Sequence, residues 1–271
     1  MDLNEQNLAI RLSEKRIGNC LHFFKEVGST NDAAFHLALG GASEGTVVIA
    51  ELQTRGKGRL KRQWQSPPGC NIYTSIVLRP AIDPVFAPQI TLMTGVAVAD
   101  VLSEYCPAGV TLKWPNDVQI RGRKVCGILT EMSVTDAKKI NFVIVGIGVN
   151  VNIKKIDFDE AFRDIATSLK EETGCDISRL DLAEKLFDNI EHLYSCLIRE
   201  GFGSIKDMWL KYSDMVGKHI RVVFNDNVQA GEVHGIDDFG ALIISDENEI
   251  MRRVMAGDAS IVKDKGYAVS Y

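Results

Sequence analysis

From residue 21 onward, apolar and polar positions alternate in blocks that read as strand, helix, strand. LHFFKEV predicts a strand. STND then offers helix-capping side chains ahead of AAFHLAL, and Gly40 with Gly41 offers a left-handed exit. TVVIAEL reads as a short buried strand. In NIYTSIVLR, strict alternation sets Ile72, Thr74, Ile76 and Leu78 on one face against Tyr73, Ser75 and Val77 on the other. Pro80, Pro84 and Pro88 interrupt the chain before ITLMTGVAVADVLSEY, which has helical spacing. VTLKW, DVQI and KVCGILTEM follow as strands, the last two joined by a hairpin at Arg121, Gly122 and Arg123. INFVIVGIGVNV is a long apolar strand, and residues 160–200 are predicted helical, with a broad apolar stripe in AEKLFDNIEHLYSCLI.

The pattern changes near residue 213. Short strands (HIRVVF, VQAGEVHGI, ALIIS, EIMRRVM and ASIVK) then alternate with turn residues, which predicts a small β-barrel. The expected organisation is therefore a domain over residues 1–212 followed by a smaller one over 213–271, with no internal repeat.

Composition narrows the function classes. The chain has 271 residues and a net charge of -5, so it is not the uniformly basic protein that coats nucleic acid. Its six cysteines form no CxxC pair and its five histidines no metal-ligand spacing, so a reduced, cytoplasmic chain without a zinc site is expected. Residues 1–20 carry charges throughout and lack a signal-peptide core, and no apolar run is expected to reach the roughly 20 residues of a membrane span.

Against that acidic total, QTRGKGRLKRQW stands out: Arg55, Lys57, Arg59, Lys61 and Arg62 are basic, none of their neighbours is acidic, and Gly56 and Gly58 let the backbone bend among them. Such a loop can wrap a phosphate or a carboxylate; a solvated surface loop is the bland alternative. It is not a P-loop, because GxxxxGK[ST] occurs nowhere. In LKWPNDVQI, Lys113 lies inside an apolar strand, where an unpaired ammonium is expensive, and Asp117 is its candidate partner. Lys124 opens a strand in which Gly127 permits close approach to the backbone, as do Gly146 and Gly148 in VGIGVNVN, which ends at Asn150.

Taken in order, STN, the Gln53 basic-loop Trp64 stretch, KWPND, K-x-x-GIL-x-E and GIGVNVN resemble the biotin protein ligases. The resemblance is strong over residues 22–152 and continues into GEVHGIDDFGALII and MAGDASI. It implies an α+β fold: a mixed, largely antiparallel sheet with flanking helices, plus a C-terminal SH3-like β-barrel. It also implies an enzyme that joins biotin to AMP with ATP and magnesium, then passes biotin to a lysine of a biotin carboxyl carrier domain. Ser29, Thr30, Asn31, Gln53, Gly56, Lys57, Trp64, Gly127 and Leu129 would serve biotin. Arg59, Arg62, Lys113, Asn116, Asp117, Lys124, Asn150 and Arg252 would serve the nucleotide. Lys124 and Arg59 would carry the chemistry, and magnesium would arrive on the ATP phosphates near Asp117. Family basic motifs usually read GRGRxGR; here Lys57 replaces an arginine and Lys61 a glycine. With about 20 residues ahead of the first strand, the monofunctional form without a DNA-binding domain is expected, either monomeric or a homodimer. A lipoate or octanoate ligase of related fold, or a non-catalytic biotin or nucleic-acid binding module, are the alternatives.

Overall fold

The computed structural model describes residues 3–224 and 227–262. A short helix, α1 (Glu5–Leu12), precedes β1 (Leu21–Val27), α2 (Thr30–Leu39), β2 (Val47–Gln53), β3 (Ile72–Leu78) and the long α3 (Ala87–Tyr105). Then come β4 (Val110–Lys113), β5 (Asp117–Ile120), β6 (Arg123–Val134) and β7 (Ile140–Val149), followed by α4 (Leu169–Thr173), α5 (Arg179–Glu200) and α6 (Gly203–Tyr212). The remainder is β8 (His219–Phe224), β9 (Asn227–Ile236), β10 (Leu242–Ser245), β11 (Met251–Val254) and β12 (Asp258–Ile261).

Strands β1 to β7 form one sheet in the order β1-β2-β3-β7-β6-β5-β4. Only the β1–β2 pair is parallel, so the sheet is mixed and largely antiparallel, with its hairpin turn at Arg121 and Gly122, both left-handed. Strand pleat decides what each face does. On β7, Val143, Val145, Ile147 and Val149 join the main core beneath α3, α5 and α6. The alternate positions run Phe142, Ile144, Gly146, Gly148. Phe142 and Ile144 pack under α2 with Ala34, Ala38, Val48 and Val77; the two glycines continue that face, Gly146 beneath Asn31 at the start of α2 and Gly148 beneath Trp64.

Three expectations need correcting. Ser29 precedes α2 without a side-chain cap, and the left-handed residue at the helix exit is Gly41, Gly40 having φ -74°. Residues 160–166 are turns, not helix: Lys124 and Ala166 form a parallel bridge, whose extended backbone a helix cannot supply. Finally, the segment Pro84–Tyr105 is long and apolar enough to cross a membrane by composition, with 67% of its apolar window buried inside the fold; it is the central core helix. Both faces of β3 are buried along its whole length, Ser75 included, as its place in the middle of the sheet requires.

Strands β8 to β12 form a second, wholly antiparallel sheet in the order β11-β10-β9-β8-β12. Its β9–β10 turn docks against the KWPND turn and α3: Trp114 Nε1 donates to Gly240 O at 3.0 Å, and Gln89 Nε2 donates to Asp238 O at 2.7 Å. Phe239 stacks on Phe86 with ring centroids 5.3 Å apart. These contacts hold the KWPND turn against the small sheet, where its exposed edge becomes a wall of the cleft described next.

Candidate active site

A cleft of about 1470 Å³ runs over the glycine face and is bounded by the basic loop, the KWPND turn, residues 158–166 and β12. Its two ends differ in chemistry.

The first end is polar and densely hydrogen-bonded, mostly through amides and hydroxyls. Thr30 N–H and Oγ1 both donate to Gln53 Oε1, at 2.9 and 3.1 Å, and Gln53 Nε2 donates to Ser66 Oγ at 2.9 Å. Ser75 Oγ lies 2.8 Å from Thr30 Oγ1 and 2.7 Å from Asn31 Oδ1. Asn31 Nδ2 in turn donates to Leu129 O at 3.2 Å and to Glu131 Oε2 at 2.7 Å. Thr30, Asn31 and Ser75 are all buried, so this network fixes one arrangement of donors and acceptors. Glycine is required beneath it: a Cβ on Gly146 would lie 1.9 Å from Asn31 Oδ1. Gly146→Ala is therefore expected to force Asn31 off its partners and cost about 2 kcal/mol, read as a lower urea midpoint; an unchanged midpoint would show that Asn31 does not need the space.

Gly127 and Gly148 face each other across the β6–β7 ladder. Here the close approach permitted by glycine is made by Trp64: a Cβ would come within 2.9 Å of its ring at Gly127 and 2.6 Å at Gly148. The indole thus lies against the sheet over both glycines. Trp64 Nε1 is buried without a hydrogen-bond partner.

The second end is cationic. Lys124 Nζ contacts Asp117 Oδ1 at 2.7 Å and stands 5.3 Å from the Trp64 ring centroid. Arg59 Nη1 donates to Asn116 Oδ1 at 3.1 Å and to Gly257 O at 3.3 Å, and lies 3.7 Å from Asp258. Burial of this guanidinium pulls its pKa below the usual arginine value, although Asp258 and Asp117 oppose that shift; at any ordinary pH it stays charged. Arg62 reaches Asp258 as well. Asn116 is held by Ile128, donating Nδ2 to its carbonyl at 2.7 Å.

Most residues named from the sequence line this cleft, with four differences. Arg252 is on β11, pairs with Asp246 at 2.7 Å and does not line the cleft. Gly56 lies inside the loop, where a Cβ would meet Trp64 O at 2.4 Å. Lys57 lines the cleft but pairs with Asp32 on α2. Asp117, opposite Lys113 in the β4–β5 ladder, pairs with Lys124 instead of Lys113. Asn150 lines the cleft while its Nδ2 donates to Thr167 O at 3.1 Å. The loop's left-handed residues are not its glycines but Leu60 (φ 53°) and Lys61 (φ 60°), so Lys61 stands in a conformation that costs a non-glycine residue roughly 1 kcal/mol.

Sequence reasoning missed Ser75, Ser66, Glu131, Gln65 and Asp258. A hydroxyl on the same face as Val77, in a strand flanked by apolar residues, was the available signal for Ser75; nothing local marks Asp258.

A mixed sheet with one glycine-floored face, a cationic loop above it and a small antiparallel sheet closing one end defines the biotin/lipoate ligase class of fold. Residues 23–150 match the biotin/lipoate A/B protein ligase family, and residues 216–262 match the biotin protein ligase C-terminal domain. The bifunctional ligase/repressor BirA of Bacillus subtilis is 35% identical over 96% of this chain and 79% of its own length. The biotin--[acetyl-CoA-carboxylase] ligase of Paracoccus denitrificans is 34% identical over 80% and 90%. A solved structure of the Aquifex aeolicus biotin protein ligase in complex with biotin and ATP superposes with a TM-score of 0.78 at 30% identity, over 91% of this chain and all of that one. The chain belongs to the biotin protein ligase family, with the family's α+β domain and C-terminal SH3-like β-domain.

Proposed function

We propose that the cleft activates biotin with ATP and transfers it to a lysine of a biotin carboxyl carrier domain. The observation that carries this reading is the juxtaposition of a hydrogen-bonding end, built on amides and hydroxyls, with a cationic end over one glycine floor. Biotin matches that division: a ureido ring that gives and takes hydrogen bonds, and a carboxylate at the far end of an apolar chain.

In this reading Ser29, Thr30, Asn31 and Gln53 meet the ring, with Trp64 covering it and Gly127 and Leu129 presenting backbone. The biotin carboxylate attacks the α-phosphorus of ATP, a new C–O–P linkage forms, and the bond to the leaving pyrophosphate breaks. Two anions must meet, and two unit charges 4 Å apart repel by about 4 kcal/mol at an effective dielectric near 20. Lys124 and Arg59 offset that repulsion and stabilise the charge developing on phosphate; positioning supplies most of the remainder. In the second step the lysine amine attacks the mixed anhydride carbonyl, loses a proton and expels AMP. Arg62, Lys113, Asn116, Asp117 and Asn150 are assigned to the nucleotide side. Arg252 is left out, since it faces Asp246.

Magnesium would neutralise phosphate charge when bound. Among the described residues no three His, Cys, Asp or Glu side chains are grouped to hold a metal, so we assign it to the ATP phosphates beside Asp117, not to a protein cage. Residues 1–212 are proposed as the catalytic domain and 213–271 as the C-terminal one. We take the ligase to be monofunctional; the helix ahead of β1 packs its Leu8 and Leu12 into the catalytic core and so belongs to the catalytic domain. All six cysteines are free thiols, which supports a cytoplasmic location.

Pyrophosphate release from MgATP that requires biotin tests the proposal. Release with lipoate in place of biotin would identify a lipoate ligase, and biotin binding without release would identify a non-catalytic module.

A further inference from the structure

Four oxygens stand in a row at the ring end of the cleft: Gln53 Oε1, Thr30 Oγ1, Ser75 Oγ and Asn31 Oδ1, with successive separations of 3.1, 2.8 and 2.7 Å. The amides at the two ends of the row are fixed in orientation. Gln53 turns its Nε2 to Ser66 Oγ, whose own proton goes to Trp64 O, while its Oε1 takes the Thr30 N–H. Asn31 turns its Nδ2 to Leu129 O and to the Glu131 carboxylate, both acceptors. Both ends of the row therefore accept, and only the two hydroxyls between them carry protons. Three contacts share two protons. When Thr30 serves Gln53, either Ser75 and Thr30 or Ser75 and Asn31 meet lone pair to lone pair.

That shortage is costly because Ser75 and Asn31 are buried, and a buried acceptor without a donor loses its full share of solvation. It can be relieved only from the cleft, which Thr30 and Gln53 line and Ser75 does not. An N–H brought between Thr30 Oγ1 and Gln53 Oε1 takes over the outer contact; the Thr30 proton then turns to Ser75, and the Ser75 proton to Asn31. A ring that offers only acceptors leaves the row as it was. We propose that Ser75 is a positioning residue that sets the specificity of the ring end: through Thr30 it keeps the site one proton short, and so selective for a ring that brings an N–H. This rests on the function proposed above and narrows it, since a ureido ring has N–H groups where a dithiolane ring has none.

Competition binding with biotin and with its cyclic carbonate analogue, in which oxygen replaces both ring N–H groups and the carbonyl is kept, tests the assignment. Wild-type protein should prefer biotin by about a hundredfold, and Ser75→Ala should cut that preference about tenfold, the loss of one neutral hydrogen bond. The cut should come from biotin alone, with the analogue's affinity changing by less than threefold, because Thr30 then gives its proton to Gln53 at no cost to a neighbour. Ser75→Thr keeps the hydroxyl and should keep the wild-type preference. Ser75→Cys, a weak donor of similar shape, should fall between, and it carries the test if the alanine variant does not fold. A wild-type preference near one, or an unchanged preference in the alanine and cysteine variants, overturns the proposal; so does an equal weakening of both ligands, which a merely structural residue would give. Wild-type protein that releases no pyrophosphate with biotin would instead overturn the functional reading itself.

Discussion

Lys124→Ala is expected to lower biotin-dependent pyrophosphate release by about 10²- to 10³-fold, the usual loss when one preorganised donor to a developing oxyanion is removed. Preorganisation is visible in the backbone: the Lys124 N–H and C=O are both bonded to the 165–167 segment, and Ala166 bridges to it. Its side chain is then confined by Asp117 at 2.7 Å and by the Trp64 ring. Alanine removes the ammonium and leaves Asp117 without its ion-pair partner, uncovering a negative charge in a place where two anions must meet. Binding of biotin should suffer less than turnover, because the ring network on Thr30, Asn31 and Gln53 does not include Lys124. Single-turnover pyrophosphate release separates these quantities, and near wild-type release would mean that another cation takes this role.

Arg59→Gly should act on the intermediate more than on its synthesis. Arg59 bridges three places, the KWPND turn at Asn116, the strand-leading Gly257, and Asp258 on β12. Loss of a charge-assisted hydrogen bond to phosphate is worth about 2 kcal/mol, or roughly a 30-fold faster escape of the adenylate. The released mixed anhydride would label lysines on bystander proteins. Labelling of added albumin should therefore rise by about that factor, and labelling equal to the wild type would count against Arg59 as the clamp.

How much of this could be read from the sequence depends on how local each cause is. The INFVIVGIGVNV strand and the Arg121–Gly122 hairpin declare themselves through periodicity and turn chemistry, and both form. The glycines of GIGVNV also signalled close approach, yet what approaches Gly146 and Gly148 is Asn31 and Trp64, from distant segments. Residues 160–166 had helical composition, but a bridge to Lys124 claims their backbone. The expected Lys113–Asp117 pair follows from adjacency, and tertiary placement gave Asp117 to Lys124. Gln65 and Asp258 could not be found at all by local reasoning: each acts on a partner that only folding brings near.

Asp258 has a consequence for descent as well as for chemistry. It stands in one fold unit and its arginine partners in another, nearly two hundred residues away along the chain. A substitution that removes or reverses its charge leaves Arg62 and Arg59 without their counter-ion, whereas a matching change at residue 62 would restore balance. Lineages that alter one position are thus under pressure to alter the other, so the two columns should vary together in an alignment of relatives. For the same reason, a C-terminal unit grafted from a relative with a neutral residue at 258 would leave the basic loop of this chain unlatched, even where the graft itself folds well.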